Sequence, residues 1–155
     1  MKYLVNPLVG VNEILLGSDR GSVVKIIGAP ESVEGRTEYY DEARFQITYT
    51  RKGYVEFIEI YADEPDLIEV EIFGVSAFQT NKEELRQIVE TFGNCSISED
   101  DEYPHVYLFE SLSLSFWSDS DPNDFSEEEV EQYSDDFRAS HFFKSVGIGT
   151  KGYYS

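Results

Sequence analysis

The sequence predicts an α+β fold in which antiparallel sheets carry two short helices, with residues 1–155 forming a single domain. A chain of 155 residues can bury a real core, and its 41% hydrophobic and 15% aromatic content is typical of a folded protein. Two segments carry helical signals that end at a glycine, and the segments after each of them alternate apolar and polar side chains as strands do. Together these observations favour short helices packed on antiparallel sheets.

The first predicted helix begins at Ser18 as its N-cap and ends at Gly28, with Pro30 just beyond. Its apolar side chains are Val23, Val24, Ile26 and Ile27. Because this helix is short and contains Gly21, we expect it to depend on tertiary packing for its stability. The second helix has stronger signals, since Thr80 and Glu83 are spaced as a capping box and Gly93 follows the last apolar residue. One face of it carries Leu85, Ile88, Val89 and Phe92.

Strands are predicted after each helix. Phe45–Tyr49 alternates, and Arg51–Gly53 then turns the chain into Tyr54–Tyr61, as a β-hairpin requires. The second strand of this hairpin is apolar on both faces, so either its register is ambiguous or both faces are covered. Ile68–Ile72 alternates with two glutamates and predicts a half-buried strand. The strands predicted after the second helix are Val106–Phe109, Leu112–Phe116 and His141–Ile148.

The two halves of the chain resemble each other, since each runs from a helix and its glycine to an aromatic strand, at Tyr39–Tyr40 in the first half and around Tyr107 in the second, and then to two further strands. We therefore predict a tandem αβββ duplication with pseudo-repeats over residues 14–62 and 68–150. The second copy contains an extra segment, residues 119–140, between its last two strands; we call it the acidic insertion. Its apolar residues Phe125, Val130, Tyr133 and Phe137 have roughly helical spacing, which predicts a short amphipathic helix.

The negative charge of the chain is unevenly distributed. The formal net charge is −19, and twenty-four Asp and Glu lie between Lys52 and Arg138 against two basic residues, Lys82 and Arg86. Nucleic acids and anionic membranes bind proteins through Lys and Arg, so neither is an expected partner. Like charges also oppose compaction, and a surplus of this size indicates a surface that meets a basic protein.

The acidic insertion is the predicted partner-binding site. Carboxylates accelerate the encounter with a basic partner, and aromatic rings hold the complex that forms. The residues assigned to this face are Trp117, Asp119, Asp121, Asp124, Glu127, Glu128, Glu131, Tyr133, Asp135 and Asp136. The alternative role of the charged residues is a solvated helix face, and that of the two aromatic residues is core packing.

Catalytic and metal-binding motifs are weak in this sequence, and we expect neither an enzyme nor a bound cofactor or metal. The nucleophile candidate Cys95 has no histidine at a recognisable spacing, and both His105 and His141 lie in predicted strands. Asp119–Asp124 begins like a calcium-binding loop but lacks its glycine and its terminal glutamate. Gly147–Gly152 has the glycine spacing of a dinucleotide-binding turn, but no helix can follow it.

The expected compartment is the cytoplasm. Cys95 is the only cysteine and cannot form an internal disulfide. The apolar run at the N-terminus is interrupted before it reaches the length of a signal peptide, and no segment is long enough to cross a membrane.

Two segments resemble known families. Leu16–Pro30 is similar to the helix-opening motif of small outer-membrane assembly lipoproteins of the BamE type, but the N-terminal region has no cysteine that could be acylated. Phe143–Tyr154 resembles the C-terminal segment of small acidic immunity proteins encoded beside bacterial polymorphic or contact-dependent toxins. That resemblance implies a cytoplasmic, non-catalytic inhibitor that binds a basic toxin domain, often a nuclease. The alternative is a generic binding or regulatory module for a basic protein or peptide.

Overall fold

The computed structural model describes residues 1–62, 68–98 and 105–155. In these residues the chain forms two β-sheets and four short helices, which confirms the predicted α+β class. One sheet has eight strands and the other has five. Apart from one parallel pair in the smaller sheet, neighbouring strands are antiparallel.

The smaller sheet contains the N-terminal strands and the strands that precede the second helix. These are β1 (Lys2–Asn6), β2 (Gly10–Val11), β3 (Ile14–Leu15), β8 (Glu69–Ile72) and β9 (Val75–Ser76). Their order across the sheet is β3-β2-β1-β8-β9, with β1 and β8 parallel.

The larger sheet contains the remaining strands in the order β10-β11-β12-β13-β7-β6-β5-β4. The strands from the first half are β4 (Ser32–Glu34), β5 (Thr37–Tyr40), β6 (Phe45–Tyr49) and β7 (Val55–Tyr61). Those from the second half are β10 (Ser96–Ile97), β11 (Val106–Phe109), β12 (Leu114–Trp117) and β13 (Ser145–Gly149). Each half therefore forms its own run of four antiparallel strands, and the two runs meet where β7 pairs with β13.

The two runs are arranged symmetrically, with the last strand of each half at the centre of the sheet. Each half also places its helix before these four strands: α1 (Arg20–Ile27) in the first half and α2 (Lys82–Glu90) in the second. The sequence predicted only three strands after each helix. It missed β4 and β10 because their side chains are all exposed, and they show no alternation between buried and exposed positions. The repeat boundaries 14–62 and 68–150 stay a prediction.

The helix N-caps differ by one residue from the predicted ones. Asp19 caps α1, since its Oδ1 accepts a hydrogen bond from the Ser22 amide at 2.8 Å, whereas the Ser18 hydroxyl donates to the Leu15 carbonyl. Asn81 caps α2 by accepting from the Glu83 amide at 3.0 Å, so the predicted capping box of Thr80 is absent. In both cases the residue immediately before the helix provides the cap.

A single apolar cluster joins the two sheets and the helices. The larger sheet contributes one of its faces, the core face, through residues such as Ile47, Ile58 and Ile148. Val23 of α1 and Leu85 of α2 are fully buried in the same cluster. The opposite face of the larger sheet, the outer face, points away from this cluster because side chains alternate along each strand.

The acidic insertion contains two short helices where the sequence predicted one. They are α3 (Glu127–Gln132) and α4 (Ser134–Ala139), and Tyr133 between them has φ −119° and ψ 49°, outside the helical region. Phe125 and Phe137 contact each other edge to face with centroids 5.5 Å apart. No residue of either helix is buried, so the insertion adds little to the core.

Candidate protein-binding face on the acidic insertion

The acidic insertion replaces a tight turn. In the first half, Thr50 and Gly53 close the connection between β6 and β7 within a few residues, with the Gly53 amide donating to the Thr50 carbonyl at 2.9 Å. In the second half, the corresponding connection between β12 and β13 runs from Ser118 to Lys144. A hairpin needs no such length, and long connections inside compact domains are commonly functional.

Two lysines attach the beginning of the insertion to the fold. Lys144 Nζ lies 2.8 Å from Asp119 Oδ2, and Lys82 Nζ donates to the Ser120 carbonyl at 2.7 Å. Lys82 is only 4% exposed, and burial lowers the pKa of its ammonium group against the opposing pull of Asp121, Asp119 and Asp124. The buried ammonium group of Lys82 therefore holds this loop in place.

Asp121 and Asp124 are also used within the molecule. Together they form a capping box around a turn of 3-10 helix, in which Asp121 accepts from the Asn123 amide and Asp124 accepts from the Asp121 amide. Asp124 Oδ2 also lies 3.2 Å from His105 Nε2. With Asp119, three of the carboxylates predicted to contact a partner thus have intramolecular partners.

The remaining five predicted carboxylates lie on α3 and α4 and point into solvent. They are Glu127, Glu128, Glu131, Asp135 and Asp136, and within the described part of the chain none forms an ion pair. Ser126 and Glu129 form a capping box at the start of α3, so Glu129 has a local role. Acids in the first turn of a helix are favoured by the helix dipole, which accounts for four of the five but not for Glu131.

A cleft of about 540 Å³ opens beside these helices. Its walls include the aromatic residues Phe125 and Tyr133, the acidic residues Glu129 and Asp136, and the ion pair of Asp119 with Lys144. Tyr133 is 46% exposed, so the alternative role of core packing does not describe it. The cleft can accept an apolar side-chain stem that carries a positive charge at its end.

Trp117, the other predicted aromatic anchor, does not line this cleft, although its carbonyl accepts a hydrogen bond from the amide of Lys144, which does. It is opposite Ser145 and Val106 on the outer face of the larger sheet and is 37% exposed. Of the predicted binding residues, the cleft therefore brings together Tyr133, Asp119 and Asp136.

Lys82 was not predicted to be a structural anchor, although the sequence contains one signal of that role. Lys82 is the first residue of α2, where the helix dipole disfavours a cation. A lysine at that position needs another reason, and the Ser120 carbonyl together with the neighbouring aspartates provides it. The sequence contains a second dense run of acidic residues, Glu99–Glu102, which lies outside the described residues.

The other candidate reactive groups have ordinary surroundings. The His141 ring packs edge to face on Phe137, and burial raises the pKa of the Cys95 thiol, which disfavours its nucleophilic thiolate. Among residues 1–62, 68–98 and 105–155, no group of three or more His, Cys, Asp or Glu could hold a metal ion. None of the helices in these ranges is long and apolar enough to cross a bilayer. Comparison of the chain with protein-family models, with curated proteins and with solved structures found no match.

Proposed function

We propose that this protein is a non-catalytic inhibitor of the immunity type, which binds a basic toxin domain in the cytoplasm through its acidic insertion. The toxin domain we expect is a nuclease, because nucleases present lysine and arginine side chains to the phosphates of their substrates. The observation that carries the proposal is the group of five exposed carboxylates on α3 and α4 that form no ion pair with any residue in the described ranges.

The carboxylates of the insertion differ in their intramolecular contacts, and this difference supports the proposal. Asp119 and Asp124 lie against Lys144 and His105, so their charges serve the fold. The carboxylates of α3 and α4 repel one another and pair with no cation in the part of the chain that the structure describes, so their repulsion destabilises the isolated protein. A basic partner would neutralise these carboxylates on binding and so remove their repulsion.

The mechanism we infer is occlusion by charge mimicry. The carboxylates of Glu127, Glu128 and Glu131 would occupy the positions of nucleic-acid phosphates and pair with the partner's cationic side chains. Tyr133 beside them would supply the apolar contact that slows dissociation. Electrostatic steering of this kind raises association rates by roughly 10–10³-fold at low salt.

The test uses two variants that remove the same number of charges. The insertion variant carries Glu→Gln at 127, 128 and 131 and Asp→Asn at 135 and 136. The control variant carries Glu→Gln at five exposed positions outside the insertion, namely Glu13, Glu34, Glu42, Glu84 and Glu110. Each variant is expressed together with the toxin domains encoded in the genomic neighbourhood of this chain, and growth of the producing cells is measured.

We expect the wild type and the control variant to protect cells from one such toxin domain and the insertion variant to fail. Equal protection by both variants would show that the acidic insertion is not the binding face. If no neighbouring toxin domain is neutralised even by the wild type, the assignment as an immunity protein is wrong.

A further inference from the structure

The outer face of the larger sheet is partly covered by the C-terminal tail. The Tyr153 ring stacks on Phe57 with centroids 4.8 Å apart and planes 10° from parallel. Tyr154 contacts the same ring edge to face, and its hydroxyl lies 2.6 Å from Ser115 Oγ. These contacts fix an aromatic group above β7, β12 and β13.

Two glycines of β13 make room for this arrangement. A Cβ atom at Gly147 would lie 2.5 Å from the Phe57 ring, and one at Gly149 would lie 2.6 Å from Tyr153. Neither position tolerates a side chain while the tail is in place. The glycine-rich segment that resembles a nucleotide-binding turn therefore serves to seat aromatic rings on the sheet.

Glu59 lies beside this aromatic group, near the middle of the sheet. It is on β7 between Phe57 and Tyr61, and its cross-strand neighbours are Gln46 on β6 and Gly147 on β13. The side chain is half-buried and forms no hydrogen bond or ion pair with any described residue. Burial raises the pKa of its carboxyl group.

An unpaired carboxylate in such surroundings is unusual, because removing a charge from water is unfavourable unless a partner compensates it. Arg36, whose charge acts on Tyr153, is already engaged, since its Nη1 lies 3.6 Å from Glu56 and donates to the Tyr49 carbonyl at 3.0 Å. The carboxylate of Glu59 is therefore available to a cation of another molecule.

We propose that Glu59 and the ring of Tyr153, which is held in place by stacking on the buried Phe57, form a docking site for an arginine side chain of a partner protein. A guanidinium group can stack on an aromatic ring and donate two hydrogen bonds to one carboxylate, which suits it to this surface better than a lysine ammonium group. Tyr153 is 37% exposed, so its ring is accessible as well as fixed.

The protein contains an internal example of the same combination. Arg20 Nε lies 2.7 Å from Glu38 Oε1 while its guanidinium carbon lies 4.4 Å from the centroid of the Tyr49 ring. There, one arginine joins a carboxylate and an aromatic ring within a single chain. At Glu59 the carboxylate and the rings are present, and the arginine would come from the partner.

The site is separate from the acidic insertion, so it can be tested without the toxin partner. The probe is the peptide acetyl-Gly-Arg-Gly-amide, titrated into ¹⁵N-labelled protein while amide chemical shifts are recorded. We expect saturable shifts at the amides of Gly147, Gly149 and Tyr154. The same peptide with citrulline, which is a neutral isostere of arginine, is expected to cause none.

Glu59→Gln is expected to weaken binding of the arginine peptide about tenfold, the effect of losing a charge-assisted hydrogen bond. Glu71→Gln is the matched control, since Glu71 is a half-buried glutamate on a strand of the smaller sheet. It is expected to leave the affinity unchanged. The amide spectrum of each variant verifies that it is folded.

Unchanged affinity in Glu59→Gln would overturn this inference. Shifts confined to residues 127–136 would also overturn it, while leaving the proposed function of the acidic insertion intact. Loss of binding in Glu59→Gln together with a fully active acidic insertion would establish the outer face as a second contact surface.

Discussion

At the scale of single residues, the buried polar groups of this protein differ in whether they have partners. Lys82 is buried and donates to the Ser120 carbonyl, so its charge stabilises a loop. Tyr49 is fully buried, yet its hydroxyl has no hydrogen-bond partner among the described residues. A satisfied group stabilises the fold when buried, whereas an unsatisfied one destabilises it.

This difference predicts opposite effects for two tyrosine substitutions in the core. Tyr49→Phe removes the unpartnered hydroxyl and keeps the ring under Arg20, so we expect a gain in unfolding free energy of up to about 1 kcal/mol. Tyr40→Phe removes a hydroxyl that donates to the Gly28 carbonyl at 3.2 Å, and we expect a loss of about 1 kcal/mol. Urea unfolding measures both, and equal destabilisation by the two changes would mean that Tyr49 has a partner after all.

Glu59 gives a prediction that depends on pH. Because burial raises the pKa of this carboxyl above its ordinary value of 4.5, the native state holds the proton more tightly than the unfolded chain does. The ionised side chain therefore destabilises the fold at neutral pH, and the penalty disappears as the pH falls below that value. We expect Glu59→Gln to be more stable than the wild type at pH 7 and equally stable near pH 4.

The measurement is the midpoint of urea unfolding across this pH range, with Glu71→Gln as the control that shows no gain. A loss of stability in Glu59→Gln at pH 7 would indicate that Glu59 has a stabilising partner. It would also remove the reason to look for a partner's arginine at this position.

At the scale of elements, the sequence predicted strands best where one face is buried. The strands β6 and β8 were predicted from alternation, and the structure places their apolar residues in the core. The strand β7 was predicted from the turn at Arg51–Gly53 that precedes it. The apolar residues on both faces of β7 left its register open, because the cover on its outer face comes from Tyr153 and Tyr154, far along the chain. Glu59 was missed for the same reason.

The helices show a second limit of sequence reasoning. Each N-cap was misplaced by one residue because several polar side chains precede α1 and α2, and only the backbone geometry selects one of them. The internal use of Asp119, Asp121 and Asp124 was not visible, since Lys82, Lys144 and His105 approach them through tertiary structure. The sequence predicted the negative charge of the remaining acids. It could not predict that they form no ion pair with any described residue.

Because α3 and α4 bury no residue, the fold should survive their removal. We propose replacing residues 126–139 with a short glycine–serine linker, which keeps Asp119 and Ser120 as partners of Lys144 and Lys82 and leaves Asp121 and Asp124 in place. We expect cooperative urea unfolding with a free energy within about 1 kcal/mol of the wild type, because surface changes away from buried groups have small effects. Partner binding should be lost. Loss of cooperative unfolding would show that the insertion is part of the core structure.

At the scale of the whole molecule, the acidic residues differ in whether they are paired with basic residues. Glu38 and Glu56 of the first half are paired with arginines, whereas the exposed acids of α3 and α4 have no cation among the described residues. With a net charge of −19, this arrangement leaves considerable repulsion in the folded state.

Salt should therefore stabilise the isolated protein. Raising the NaCl concentration from about 0.02 M to 0.5 M shortens the Debye length from roughly 20 Å to below 5 Å and screens this repulsion. We expect the melting temperature of the wild type to rise with salt, and to rise less in the insertion variant. A melting temperature that is independent of salt would mean that the charges are compensated within the fold.

The central claim is that the free carboxylates of α3 and α4 attract a basic partner. The most direct measurement is the association rate constant with that partner as a function of ionic strength, for the wild type, the insertion variant and the control variant. Our account predicts that the wild-type rate falls steeply with salt, and that the insertion variant is at least about tenfold slower at low salt with a shallower dependence. The control variant should lie close to the wild type. Equal rates and equal salt dependence for the two variants would contradict the claim.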